Sequence, residues 1–175
     1  MEKNYKEYLQ DLTTLIFDVD GVLTDGTITI TTEGEMYRTM HTKDGYALKA
    51  AFEQGLNVCI ISGGNNEGVR LRLKGLGLTD VYLGTHNKTE IMRDYLKKNN
   101  TSSEQVLFMG DDIPDLYVMQ EVGLPCCPQD AVQEIKAVSK YVSHKKGGKG
   151  CVRDVIEQVL KVQGKWLKTV DAKYD

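Results

Sequence analysis

The chain has 175 residues, 41% of them hydrophobic, and a formal net charge of −3. That length suffices for one compact domain with a sizeable core, 1–175, and the mild negative balance argues against a nucleic-acid footprint. No apolar run is long enough to span a bilayer, and the polar start at 1–11 lacks the apolar core of a signal peptide, so neither a membrane partner nor a leader is expected.

In chain order, residues 4–12 offer a short leading helix or a loose end. A first buried strand is expected at 13–17, and LIFDVDGVLTDG begins within it. The alternating stretch 27–40, TITITTEGEMYRTM, reads as a β-hairpin insertion turning at Glu33-Gly34. A helix follows to Gln54 and is closed by Gly55. A second strand at 57–61 runs into Ser62-Gly63-Gly64, and a helix covers 66–76. The spacing then predicts a short strand at 81–83, a helix at 88–98 and a fourth strand at 105–109 before Gly110-Asp111-Asp112. A short helix is expected at 115–121, a strand at 124–126 and a helix at 130–138 with Asp130 as its N-cap. Tyr141-Val142 reads as an edge strand, KKGGKG at 145–150 as a basic glycine loop, and 151–162 as an amphipathic helix. A polar tail around Trp166 fills 164–175. Strand and helix alternate, which predicts an α/β fold: a Rossmann-like, doubly wound, mostly parallel sheet with helices on both faces.

The four cysteines, Cys59, Cys126, Cys127 and Cys151, have neither CxxC nor zinc-ligand spacing. They read as small core residues in a reducing, cytoplasmic setting.

Ligands of such sheets bind beyond the carboxyl ends of the strands. Asp18 and Asp20 fall at the first of these ends and Ser62 at the second. Lys88 opens the helix after the third, and Asp111 and Asp112 follow the fourth. By strand alternation Asp18 and Asp20 are expected on one side, close enough that a cation relieves one and a proton the other. This set suits phosphoryl transfer, in which charge spreads over the outer oxygens of the phosphoryl group. Mg²⁺ is expected on Asp18, Asp111 and a backbone carbonyl. Ser62 can donate to one phosphoryl oxygen and Lys88 can pair with another. Asp20 can protonate the leaving alcohol and then activate water.

Four motifs in order, DVDGVLTDG, IISGG, the lysine of HNKTE and GDDIPD, resemble those of the haloacid dehalogenase superfamily of aspartyl phosphatases. The resemblance implies a phosphoric monoester hydrolase with Asp18 as nucleophile and Asp20 as acid/base and carbonyl ligand of Mg²⁺. It also implies Asp111 as ligand, Asp112 in the metal shell, and Ser62 and Lys88 as phosphate binders. The hairpin, TKDGYALK and the late GGKG loop are similar to a small, capless, tetrameric group acting on sugar-acid phosphates. That likeness implies a small-molecule substrate, the 8-phosphate of an eight-carbon 3-deoxy sugar acid of lipopolysaccharide synthesis, with a nine-carbon 9-phosphate as the alternative. It implies substrate contacts at Asp20, His41, Thr42, Lys43, Asp44, Gly45, Lys49, Gly63, Gly64, Arg72 and Lys88, hairpins meeting at a tetramer centre, and a neighbour's tail over the site. Two departures stand out, Gly64 and Lys49, where the group often carries Arg.

Independently of that likeness, the gaps between Asp18, Ser62 and Lys88 are filled by the hairpin, two helices and a short strand, so no cap domain is encoded. A sugar-phosphate-binding regulator on the same fold is the non-enzyme alternative, but such a module would need no pair like Asp18 and Asp20.

Overall fold

The computed structural model describes residues 4–168. The apolar runs expected as strands become the middle of one sheet. β1 (Thr14–Phe17) lies between β4 (Asn57–Ser62) and β6 (Val106–Met109), with β5 (Val81–Leu83) outside β4 and β7 (Leu124–Cys127) and β8 (Tyr141–Val142) outside β6. Every pairing in this six-stranded sheet is parallel. Both faces are covered, which is why the central strands read as continuous apolar runs and β1 and β6 are buried at every position.

Alternation along the strands sorts the core into two clusters. Leu15, Phe17, Val58, Ile60, Leu107 and Met109 face α2 (Thr42–Glu53), α3 (Glu67–Gly75) and α7 (Cys151–Val162). Ile16, Cys59, Ile61 and Phe108 face α4 (Lys88–Lys98), α5 (Leu116–Met119) and α6 (Gln133–Val138). Cys126 and Cys127 divide between the two faces, and all four cysteines are buried free thiols, the filler role expected of them. The chain moves from the β4–β5 side of β1 to the β6–β8 side, so the strand order reverses beside β1 and opens a crevice at its carboxyl end.

The hairpin is shorter than its alternation suggested. β2 (Thr29–Ile30) and β3 (Met36–Tyr37) pair over two residues each, around a turn in which Gly34 takes φ 84°. Ile28, Ile30, Met36 and Tyr37 are exposed, whereas Met40 packs on the first core cluster. α1 (Tyr5–Leu9) is capped by the Asn4 side chain.

Two helix boundaries differ from expectation. The 115–121 helix splits into a tight turn at Ile113–Asp115 and the four-residue α5. The helix expected to open at Asp130 opens at Gln133, because the Asp130 carboxylate is taken by the Gly147 N–H instead, at 2.9 Å. That bond fixes the basic glycine loop. A Cβ at Gly147 would overlap the carbonyl of Gly21, and one at Gly148 would stand 2.5 Å from Asp25 N, so only glycine lets this loop lie against the turn after β1. Gly148 N–H donates to Val22 O at 2.9 Å. Trp166, in the expected tail, packs on its own chain: Tyr46 meets it edge-on and the Arg153 guanidinium lies 4.6 Å from its ring centre. The remainder of the expected tail, 169–175, lies outside the described residues.

Candidate active site

β1 ends at Phe17, and Asp18 turns its carboxylate back to accept its neighbour's N–H, Val19 N, at 2.7 Å. The next turn, Val19–Leu23, puts Asp20 in an extended conformation and Gly21 at φ 85°. The two aspartates therefore do not share one partner, and the repulsion expected between them is not what surrounds Asp18. Asp18 Oδ2 lies 2.9 Å from Lys88 Nζ, which also donates to Asp115 Oδ1 at 2.6 Å. Asp115 in turn accepts the N–H of Asp111. Asp20 is gripped instead by Arg38, with Nε on Oδ1 at 2.7 Å and Nη2 on Oδ2 at 3.2 Å.

Asp18, Asp111 and Asp115 each bring a carboxylate oxygen within 4.8 Å of the others. Burial, above all, raises the Asp18 carboxyl to about 6; the Asp115 charge adds to this and Lys88 opposes it. Burial also raises Asp111, to about 8, reinforced by Asp18, Asp115 and Asp112. Burial disfavours the Lys88 ammonium, but Asp18 and Asp115 outweigh it and raise its pKa. Two buried carboxylates on one ammonium, with the half-buried Asp111 beside them, remain short of positive charge, and their all-oxygen donor set fits a hard divalent cation such as Mg²⁺. Without added metal, Asp111 keeps its proton in the folded chain up to about pH 8, against 3.8 when unfolded. The stability from that proton is present below the unfolded value and is lost as pH rises through the folded one. A divalent cation needs the ionised form, so added Mg²⁺ is expected to raise the melting temperature more at about pH 8 than at about pH 6. Thermal melts at the two pH values, with and without Mg²⁺, check this, and equal shifts would remove Asp111 from the cation site.

A cavity of about 710 Å³ opens over this group, lined by Asp18, Asp20, Ser62, Gly63, Gly64, Lys88, Asp111, Asp112 and Asp115. Ser62 ends β4 and its Oγ accepts the Gly64 N–H at 3.2 Å. Asn87 caps α4 and so sets Lys88 at the helix start, facing the strand ends. Asp112 reaches the cavity, but its carboxylate caps Ile113 N at 2.8 Å; the third carboxylate of the cluster is Asp115.

The expected substrate contacts divide. Asp20, Gly63, Gly64 and Lys88 line the cavity. Arg72 and Arg38 line an adjoining groove of about 630 Å³ between the hairpin and α3. His41 accepts Lys43 N and caps α2, and Lys49 points along that helix to Glu53 at 3.9 Å. Thr42 and Lys43 open α2 away from the cavity lining. Gly45 packs against Arg72, whose Nη2 would stand 2.9 Å from a Cβ there. Asp44 is buried, and its Oδ1 accepts Arg153 N at 2.7 Å. It serves as the missing cap of α7, whose own N-cap residue, Gly150, has no side chain to offer.

Residues 74–156 match the haloacid dehalogenase-like hydrolase family. Over 156 residues the chain is 37% identical to the 3-deoxy-D-manno-octulosonate 8-phosphate phosphatase KdsC of Salmonella typhi, covering 89% of this chain and 83% of that protein. The crystal structure of the Yersinia pestis phosphatase of that name is 32% identical, with a TM-score of 0.92 over 96% of this chain and 91% of that one. The Moraxella catarrhalis phosphatase, solved with magnesium, phosphate and KDO, is 31% identical, with a TM-score of 0.90 over 93% of each chain. Identity of 37% across most of both chains, together with a TM-score of 0.92 to the Yersinia pestis structure, places the protein in the 3-deoxy-D-manno-octulosonate 8-phosphate phosphatase family of haloacid dehalogenase-like hydrolases.

Proposed function

We propose that the chain hydrolyses 3-deoxy-D-manno-octulosonate 8-phosphate to the free sugar acid and phosphate. The observation that carries this reading is Asp18 at the cavity floor, held by Lys88 at 2.9 Å within a cluster of acids. Asp18, Asp111 and Asp115, with the main-chain carbonyl of Asp20, would hold Mg²⁺, which when bound offsets phosphoryl charge and lets a carboxylate approach. Asp18 attacks phosphorus and the bond to the sugar oxygen breaks, leaving an aspartyl phosphate. Asp20 gives its proton to the departing oxygen. It then takes one from the water that attacks the aspartyl phosphate, which frees phosphate and restores Asp18. The Ser62 oxygen already accepts Gly64 N–H, so its own O–H can turn to a phosphoryl oxygen. Lys88 pairs with another and keeps Asp18 aimed.

Phosphate release from the eight-carbon 8-phosphate is expected to exceed that from hexose 6-phosphates by about tenfold or more in kcat/KM. Equal efficiencies would defeat the substrate assignment while leaving the phosphatase intact.

The reading extends to a homotetramer. A two-stranded hairpin is marginal alone, and this one exposes Ile30 at 69% and Tyr37 at 56%, a patch suited to a second copy of itself. Thr42, Lys43 and Lys49 lie off this chain's own cavity and would reach substrate only across a subunit boundary. Ile30→Asp is expected to shift the sedimenting species to a smaller mass; a monomeric parent protein would overturn the assembly. Four unpaired, buried cysteines accord with a reducing compartment, the cytoplasm.

A further inference from the structure

We infer that Arg38, delivered by the hairpin, is the positioning residue of the general acid Asp20. The inference rests on the phosphatase reading above.

Asp20 lines the catalytic cavity, and its partner Arg38 lines the groove under the hairpin. Arg38 lines the groove and not the cavity, so it grips Asp20 from behind. The grip is bidentate, and the Arg38 side chain is 6% exposed. A planar fork of this kind fixes both the position and the rotation of a carboxylate. The two bonds are unequal. Oδ1 is the anchor at 2.7 Å, while Oδ2 sits at 3.2 Å, on the side of Gly64, which lines the cavity. Oδ2, with the longer contact, is thus the oxygen presented on the cavity side.

The surroundings are shaped for the clamp. A Cβ at Gly64 would stand 2.8 Å from Asp20 Oδ2 and 3.3 Å from Arg38 Nη2, so a side chain there would crowd both partners. The hairpin strand that brings Arg38 is tied down by Asn66, which donates to Met36 O at 2.9 Å while its Oδ1 caps α3 at Val69 N. Among the described residues, Arg38 Nη1 is buried with no hydrogen-bond partner. A buried guanidinium with an unmet donor costs stability.

Proton donation matters in proportion to how poorly the leaving group departs without it. A sugar alkoxide needs the proton, and a 4-nitrophenolate does not. The test is kcat/KM of Arg38→Met on the sugar-acid 8-phosphate and on 4-nitrophenyl phosphate, because kcat/KM reports steps up to formation of the aspartyl phosphate. The expected result is a fall of about 100-fold on the sugar ester and less than about threefold on the aryl ester. Arg38→Lys, which keeps the charge but loses the fork, should fall between with the same selectivity, and it carries the test if the methionine variant does not fold. Equal losses on both esters, or no loss on either, would overturn the role of Arg38. An unmodified protein that hydrolyses neither ester would instead overturn the phosphatase reading.

Discussion

Asp18→Asn is expected to lower kcat by about 10⁴-fold or more while leaving the fold intact. The amide cannot attack phosphorus, and it removes one of the three oxygens that converge for a cation. Stability should not fall with it. In the folded chain burial and Asp115 push the Asp18 carboxyl up to about 6, so near neutral pH its ionised form is held at a cost. Asparagine has no charge to bury, and Lys88 keeps Asp115 as its partner at 2.6 Å. The expected signature is a dead enzyme whose melting temperature, without added metal, equals or exceeds that of the parent. Single-turnover assays beside thermal melts check it, and turnover within about tenfold of the parent would remove Asp18 as nucleophile.

Lys88→Met is expected to cost both activity and stability. Its ammonium is buried between Asp18 and Asp115, and without it those carboxylates and Asp111 face one another uncompensated. Removing one partner of a buried ion pair typically destabilises by about 3–5 kcal/mol. Losing a preorganised cation beside the reacting phosphoryl group is expected to cost about 10³-fold in kcat. The two losses separate by a second change: Asp115→Asn on the Lys88→Met background should recover much of the stability and none of the turnover. Urea unfolding of the single and double variants reads the coupling. A loss below about 1 kcal/mol for Lys88→Met would mean that solvent, not Lys88, balances these acids.

Much of this was legible in the residues. α4 and α7 open and close where the sequence places them, because each carries an unbroken apolar stripe and starts just after a residue that ends the preceding loop, Asn87 and Gly150. Asp18, Asp20, Ser62, Lys88 and Asp111 meet at one cavity because each follows a strand directly or opens the next helix, and parallel strands send those ends to one edge. Arg38 escaped that logic. It lies on an insertion, and nothing in its neighbours tells how a projecting hairpin folds back on Asp20. Asp115 was visible as the last acid of GDDIPD but was read as a helix start, whereas a tight turn at Ile113–Asp115 swings it inward to Lys88. Asp130 departs from its expected role for a simple reason. A short acid near a helix start is read locally as serving that helix, yet this carboxylate is spent on the N–H of Gly147, more than a dozen residues away.

The glycine loop against the first turn also sets an order of events during synthesis. The turn from Asp18 to Asp25 leaves the ribosome before the partners that complete it. Val22 O is met by Gly148 N–H and by the Cys151 thiol, the latter 129 positions further on. β1 itself stays without its β6 neighbour until Met109 has been made. A chain synthesised only as far as residue 100 therefore holds Asp18 with neither Asp111 nor Asp115 beside it, and contacts of such long reach form slowly. This turn is translated well before the partners that give it its final shape.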